Sequence, residues 1–190
     1  MSSKLIEPMI SDLYSLEPLD KSHAQKMYVG LCIVDDYKYI PSNPPASLEE
    51  LAARYERLSQ CHSSDKSEIW LNWAIINRNS GAYLGYVQST IMLDKGWAYI
   101  AYHVFGTYQK KGVAKQCVRM LIDFLFNKYN LSHVDALIDT RNQASIGLVE
   151  SLKLKKINVS KDADYFKGST SDEFHYRVFY NEWTCKNVSM

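Results

Sequence analysis

Between Val104 and Ala114 the chain runs Val-Phe-Gly-Thr-Tyr-Gln-Lys-Lys-Gly-Val-Ala, where an aromatic, strand-like run gives way to a helical pattern. A helix that opens here leaves its first N–H groups without intrahelical partners, and its dipole adds partial positive charge at the same point. A pyrophosphate fits such a place. Gly112 and Ala114 are small enough to let the backbone come close to it, and Lys110 and Lys111 add positive charge nearby. Just upstream lie Tyr102 and His103. An imidazole, with a reference pKa of about 6.5, suits proton transfer. Successive strand residues point to opposite faces, so if Tyr102 faces a cleft, His103 faces away from it and reads as a packing residue. Downstream, Asn142 and Ser145 open another helical pattern; taken alone they are an N-cap and a solvent-facing helix serine.

These residues need elements to hold them. Ser15–Asp20 reads as a short strand running into a helix start, and Ala24, Met27, Tyr28 and Leu31 recur at helical spacing. Pro41–Pro45 is a loop, because proline cannot continue a helix or an inner strand. Ser47 with Glu50 makes a capping box, and Leu48, Leu51, Ala52, Tyr55 and Leu58 give the following helix an apolar stripe. Gln60–Ser67 is a polar loop. Ile69–Ile76, Tyr83–Leu93 and Trp97–Phe105 form an antiparallel meander joined at Asn77–Gly81 and Asp94–Gly96. Val113, Cys117, Met120, Leu121, Phe124 and Leu125 trace one helix face. His133–Asp139 is a compact strand, and Ser145, Leu148, Val149 and Leu152 share a face of the next helix. This β–α–β–α order turns the sheet locally parallel with a right-handed crossover. Lys156–Ser160 and Phe174–Trp183 add two strands around a polar loop. The sum is a mixed α/β (α+β) sheet of six or seven strands flanked by helices, in a single domain over residues 1–190.

Composition narrows the class. The 190 residues suit one core. A net charge of +1 gives no basic footprint, so no nucleic-acid partner is expected. No stretch approaches the roughly 20 apolar residues of a membrane span. Met1–Asp12 carries Glu7 and Asp12 without an apolar run and does not read as a signal peptide. Cys32, Cys61, Cys117 and Cys185 form no Cys-x-x-Cys pair and no zinc spacing, which suits reduced thiols in a cytoplasmic protein without a metal.

The segment Gln109-x-x-Gly112-x-Ala114 resembles the Gln/Arg-x-x-Gly-x-Gly/Ala signature of the GNAT acetyltransferase superfamily. The six-residue pattern is weak alone, and its setting between a strand and an amphipathic helix strengthens it. Asn142–Ser145 (Asn-Gln-Ala-Ser) resembles the Asn-x-x-Ser of the RimJ/RimL branch, the ribosomal-protein-alanine N-acetyltransferases. Tyr99–Val104 resembles that branch's aromatic fourth strand, Ala163–Gly168 with Tyr176–Tyr180 its closing hairpin, and Leu16–Ala24 its opening strand and helix. The likeness spans nearly the whole chain in order. It departs at Lys153-Leu154, where the family usually has Gly-Phe at a structural turn, and at Val149, where many members carry a tyrosine that protonates the thiolate.

The resemblance implies a GNAT fold with splayed fourth and fifth strands, and transfer of an acetyl group from acetyl-CoA to an amine without a metal. Val104 and Phe105 would hold the pantetheine arm through the backbone, a backbone N–H at or beside Val104 would serve as oxyanion donor, and the backbone amides of Gln109, Lys110, Lys111, Gly112, Val113 and Ala114 would hold the pyrophosphate. Asn142 would bond the pantetheine or orient the site. Ser145 would act as acid for the thiolate, and Tyr102 would face the reacting groups. The base is left open among His103, Tyr99, Glu68 and Asp164. Tyr37–Ala46 and Tyr165–Asp172 would border the amine entrance, with Asp35, Asp36, Asp162, Asp164, Asp172 and Glu173 supplying carboxylates. The family suggests an amine-bearing peptide, with a protein N-terminal α-amine as acceptor; a homodimer is one arrangement the chain could take. Small amines such as aminoglycosides or polyamines, and a non-catalytic acyl-CoA sensor, remain alternatives. A phosphate-binding nucleotide protein is disfavoured, since Gly-x-x-x-x-Gly-Lys-Ser/Thr and Gly-x-Gly-x-x-Gly are missing.

Overall fold

A computed structural model describes residues 5–187. Its strands are β1 (Met9–Ile10), β2 (Tyr14–Pro18), β3 (Glu68–Asn77), β4 (Tyr83–Met92), β5 (Trp97–Val104), β6 (His133–Asp139), β7 (Lys155–Phe166) and β8 (Ser169–Phe179). Its helices are α1 (His23–Leu31), α2 (Leu48–Leu58), α3 (Val113–Tyr129), α4 (Gln143–Ser151) and α5 (Tyr180–Asn187). One eight-stranded sheet runs in the order β1-β2-β3-β4-β5-β6-β8-β7. Every neighbouring pair is antiparallel except β5 with β6, where α3 makes the crossover.

The sheet has one more strand than the upper expectation because β1 is two residues long, too short to show a period. The segment Phe174–Trp183 also divides. The strand ends at Phe179, and Tyr180 begins α5, whose Trp183 indole donates to Asp123 of α3 at 2.6 Å. That contact holds α5 against α3. The α2 start is read correctly: Glu50 N–H donates to Ser47 Oγ, while the Glu50 carboxylate reaches back to Ala46 N–H rather than to Ser47.

Alternation along β5 divides the molecule into two layers. Ala98, Ile100 and Val104 pack in the larger core with Val113, Cys117 and Leu121 of α3 and Val149 of α4. Phe105 turns to the other face, where Leu51 and Tyr55 of α2 and Ala24, Met27 and Leu31 of α1 form the smaller core. The helices α1 and α2 thus cover one face of the first half of the sheet, and α3 and α4 cover the opposite face. Cys32, Cys61 and Cys117 are free thiols; the Cys185 side chain lies outside the described residues. Among the described residues no helix is long and apolar enough to cross a membrane.

Candidate active site

The strand β5 pairs with β4 from Trp97 to Val104, along its whole length. With β6 it pairs only at Ala98–Val134 and Tyr99–Asp135. Beyond these two residues the strands part, and residues 100–104 have no ladder partner on the β6 side. The bend that opens this wedge is built into β4. Leu84 is skipped in the pairing with β3, a bulge. Gly85 sits at φ +146, where an added Cβ would lie 1.9 Å from the His103 carbonyl oxygen. Only glycine lets β4 come that close to the end of β5.

At the wide end of the wedge stands the junction with α3. A short 3-10 turn, Gly106–Tyr108, leads to Gly112 at φ +80, the residue before the helix. The helix's first backbone bond runs from Gln116 N–H to Gly112 C=O, so helix geometry leaves the N–H groups of the preceding turn pointing outward. A Cβ added at Gly112 would meet nothing within 4 Å. Open space over outward-facing amides, at the positive end of a 17-residue helix, fits a pair of linked phosphates. The cationic side chains are arranged less simply. Lys111 Nζ donates to Thr107 C=O at 2.9 Å, and Lys110 adopts φ +58. Gln109 is not aimed at the phosphate position: its Nε2 donates to Val104 C=O at 2.9 Å and to Asp36 at 3.2 Å.

On the α3–α4 face, Tyr102 and Ser145 meet. The Tyr102 hydroxyl donates to the Ser145 backbone carbonyl at 3.3 Å, and burial pushes that phenol up to about 12. Asn142 is the N-cap of α4, its Oδ1 accepting from Ser145 N–H at 3.1 Å. Val149 is fully buried. Lys153 adopts φ +66, the left-handed conformation that accounts for the family's usual glycine there.

On the opposite face, His103 is buried and stacks on Tyr86, with Tyr37 tilted over it. Burial lowers its pKa, opposed by Asp36, whose carboxylate is 3.5 Å from Nε2. Asp36 does not reach out to solvent for a cationic amine: its Oδ2 accepts Gly106 N–H at 3.1 Å. Asp35, by contrast, is exposed. The two segments expected to border the entrance are joined by Lys167, at the β7–β8 turn. Its Nζ donates to the carbonyls of Tyr37, Ile40 and Ser42 at 2.8, 2.6 and 2.9 Å. Asp172 pairs with Lys161 and also accepts Asp162 N–H, and Asp164 Oδ1 accepts Tyr165 N–H. Burial, then Asp164 and Asp139, raises the pKa of Glu173.

Two expectations need correction. Glu68 pairs with Met92, and Met92 with Trp97, seven residues along β5 from Val104. At about 3.3 Å per residue that is about 23 Å from the junction, so Glu68 is no base for chemistry there. The Gln109 backbone N–H donates to Gly106 C=O at 3.2 Å within the 3-10 turn and its side-chain amide donates to Val104 and Asp36, so the outward-facing amides begin after it. Lys167 escaped the sequence reading; a lysine in a polar turn carries no signal that distinguishes it from a solvated one.

The sheet is wedged open between two parallel strands, with the mouth of a helix at its wide end. Residues 15–155 match the acetyltransferase (GNAT) domain, and the chain belongs to that family. An uncharacterized N-acetyltransferase p20 from Bacillus licheniformis is 30% identical over 90 residues, 47% of this chain and 51% of that one. The match thus spans about half the length of that relative. A RimL ribosomal L7/L12 alpha-N-protein acetyltransferase, solved with coenzyme A, superposes with a TM-score of 0.81 at 18% identity, over 93% of this chain and 99% of its own. Spermidine N-acetyltransferase from Vibrio cholerae, solved with CoA and spermine, superposes at 0.77 with 15% identity, over 92% and 99%. At these identities the two structures share the fold.

Proposed function

We propose that this chain moves the acetyl group of acetyl-CoA to a primary amine by direct attack, with both substrates bound at once, in the cytoplasm. The observation that carries the reading is the parting of β5 from β6 beside the α3 mouth. The unpaired edge of residues 100–104 takes the pantetheine amides as an added strand. The outward amides from Gly112 to Lys115 take the pyrophosphate. A backbone N–H at or next to Val104 faces the thioester oxygen as negative charge grows on it. Holding both reactants in one wedge makes the attack effectively intramolecular.

As the amine nitrogen bonds the acyl carbon, the carbon–sulfur bond breaks; the amine loses a proton and the sulfur gains one. Ser145 is assigned the delivery of that proton to sulfur. Tyr102, holding its own proton and bonded to the Ser145 carbonyl, fixes the start of α4, and Asn142 caps the same turn. The preferred acceptor is a protein N-terminal α-amine, by likeness to the RimL neighbour. Glu173 favours a second reading, a cationic small amine: it is half-buried near Asp164, with Asp139 beside it already paired to Arg141, and a cation would offset the remaining carboxylates.

A thiol-release assay tests this. Acetyl-CoA is offered with alanine- and serine-initiated peptides, with spermine and with an aminoglycoside. Turnover with a peptide supports the preferred acceptor, and turnover with spermine or the aminoglycoside the second. Tight CoA binding without turnover on any amine makes the chain a sensor, and absence of CoA binding ends the reading altogether.

A further inference from the structure

We infer that Asp36 is a positioning residue that ties the amine-side segment 33–42 to the cofactor junction, so that filling the junction tightens that segment. The inference rests on the acetyl-CoA reading above. Asp36 lies in the 3-10 turn Val34–Tyr37, seventy residues before the junction it contacts. Its side chain is only 9% exposed. A carboxylate so withdrawn from water needs donors, and it takes them from the junction. Oδ2 accepts Gly106 N–H at 3.1 Å, and Oδ1 accepts Gln109 Nε2 at 3.2 Å.

The same Gln109 amide donates to Val104 C=O at 2.9 Å, the last residue of the unpaired β5 edge. Carboxylate, amide and carbonyl therefore form one chain from the amine-side segment to the strand edge. The contact is also tight: a Cβ added at Gly106 would lie 3.3 Å from Asp36 Oδ1. A second observation lies beside it. His103 Nε2 is buried without a hydrogen-bond partner, and it faces Asp36 at 3.5 Å, near enough to close on the carboxylate with a small shift.

The far end of the segment is pinned independently, by Lys167 on three of its carbonyls. A segment held at both ends transmits a displacement at one of them. When a ligand N–H takes over the Val104 carbonyl, the Gln109 amide is left with Asp36, and a hydrogen bond to a charged acceptor is the stronger kind. The turn then closes more firmly on the junction, from which it covers the His103 face.

Hydrogen exchange with saturating CoA as the probe tests this. The reporters are the amides of Asp36, Lys38 and Ile40, bonded to the carbonyls of Ile33, Asp35 and Tyr37. In the wild type, CoA slows their exchange about fivefold or more, the lower end of ordinary site coupling. In Asp36→Ala the CoA-dependent slowing disappears, although exchange without CoA is already faster. Gln109→Met, which removes the amide that links the carboxylate to the Val104 carbonyl, gives the same loss and stands in if Asp36→Ala does not fold. Lys167→Met loosens the segment with and without CoA but keeps the CoA-dependent difference at Asp36. A wild type that binds CoA by calorimetry with unchanged exchange overturns this inference alone, as does full slowing in Asp36→Ala. A wild type that fails to bind CoA overturns the acetyl-CoA reading and this inference with it.

Discussion

Replacing Gly112 with alanine separates what the junction does for folding from what it does for binding. Gly112 sits at φ +80, and no protein atom lies within 4 Å of where a Cβ would stand. The cost to the folded chain is therefore the left-handed backbone alone, about 1–2 kcal/mol. For a chain of this size that is a fall in Tm of about 2–8 °C. Gly81 offers the matched control, since it has φ +70 and the same empty surroundings in the β3–β4 turn. Gly81→Ala carries the same backbone cost far from α3. Binding separates the two. If the pyrophosphate lies against the amides that Gly112 exposes, the new methyl group holds it off. Losing two hydrogen bonds to a charged group costs about 1.5–3 kcal/mol each. The affinity for CoA then falls by about a hundredfold to ten-thousandfold. Calorimetric titration with CoA, alongside thermal unfolding of both variants, reads the two effects. Equal Tm losses with CoA affinity unchanged in Gly112→Ala would place the phosphates elsewhere and refute the reasoning.

Ser145→Ala is expected to lower kcat by about a hundredfold, the small end of acid–base catalysis, with little change in CoA affinity; unimpaired turnover removes Ser145 from the proton path. Gly85→Ala places a Cβ 1.9 Å from the His103 carbonyl, so the wedge cannot keep its shape. A loss of about 2 kcal/mol or more, seen as a Tm lower by about 4 °C or more, follows; an unshifted Tm shows that β4 yields freely. His103 gives a pH prediction. Burial holds its folded pKa below the ordinary value of about 6.5, against the pull of Asp36 and between Tyr37 and Tyr86. The unfolded chain therefore binds the proton first, and this residue makes stability fall as pH drops below about 6.5. His103→Gln flattens that limb of a Tm-against-pH curve; an unchanged slope between about pH 6.5 and 5 assigns it to other groups.

The sequence determined the elements and the junction, because both are local. The three-strand meander, the α3 stripe and the Ser47 cap follow from alternation, helical spacing and capping chemistry among near neighbours. The α3 mouth is legible for the same reason: a glycine before an amphipathic helix exposes amides wherever the rest of the chain goes. Tertiary structure decided everything that depends on partners far apart in the chain. The two-residue β1 exists only because β2 is there to pair with it, and α5 is held against α3 where Trp183 finds Asp123. Asp36 became a fixture of the junction, not a lure for amines, through Gly106 and Gln109. Lys167 became a clasp through three carbonyls at least 125 residues away. A side chain's type and its neighbours in sequence state what it can bond. Which partner it meets is set by how the sheet bends and where its loops return, and no local pattern carries that.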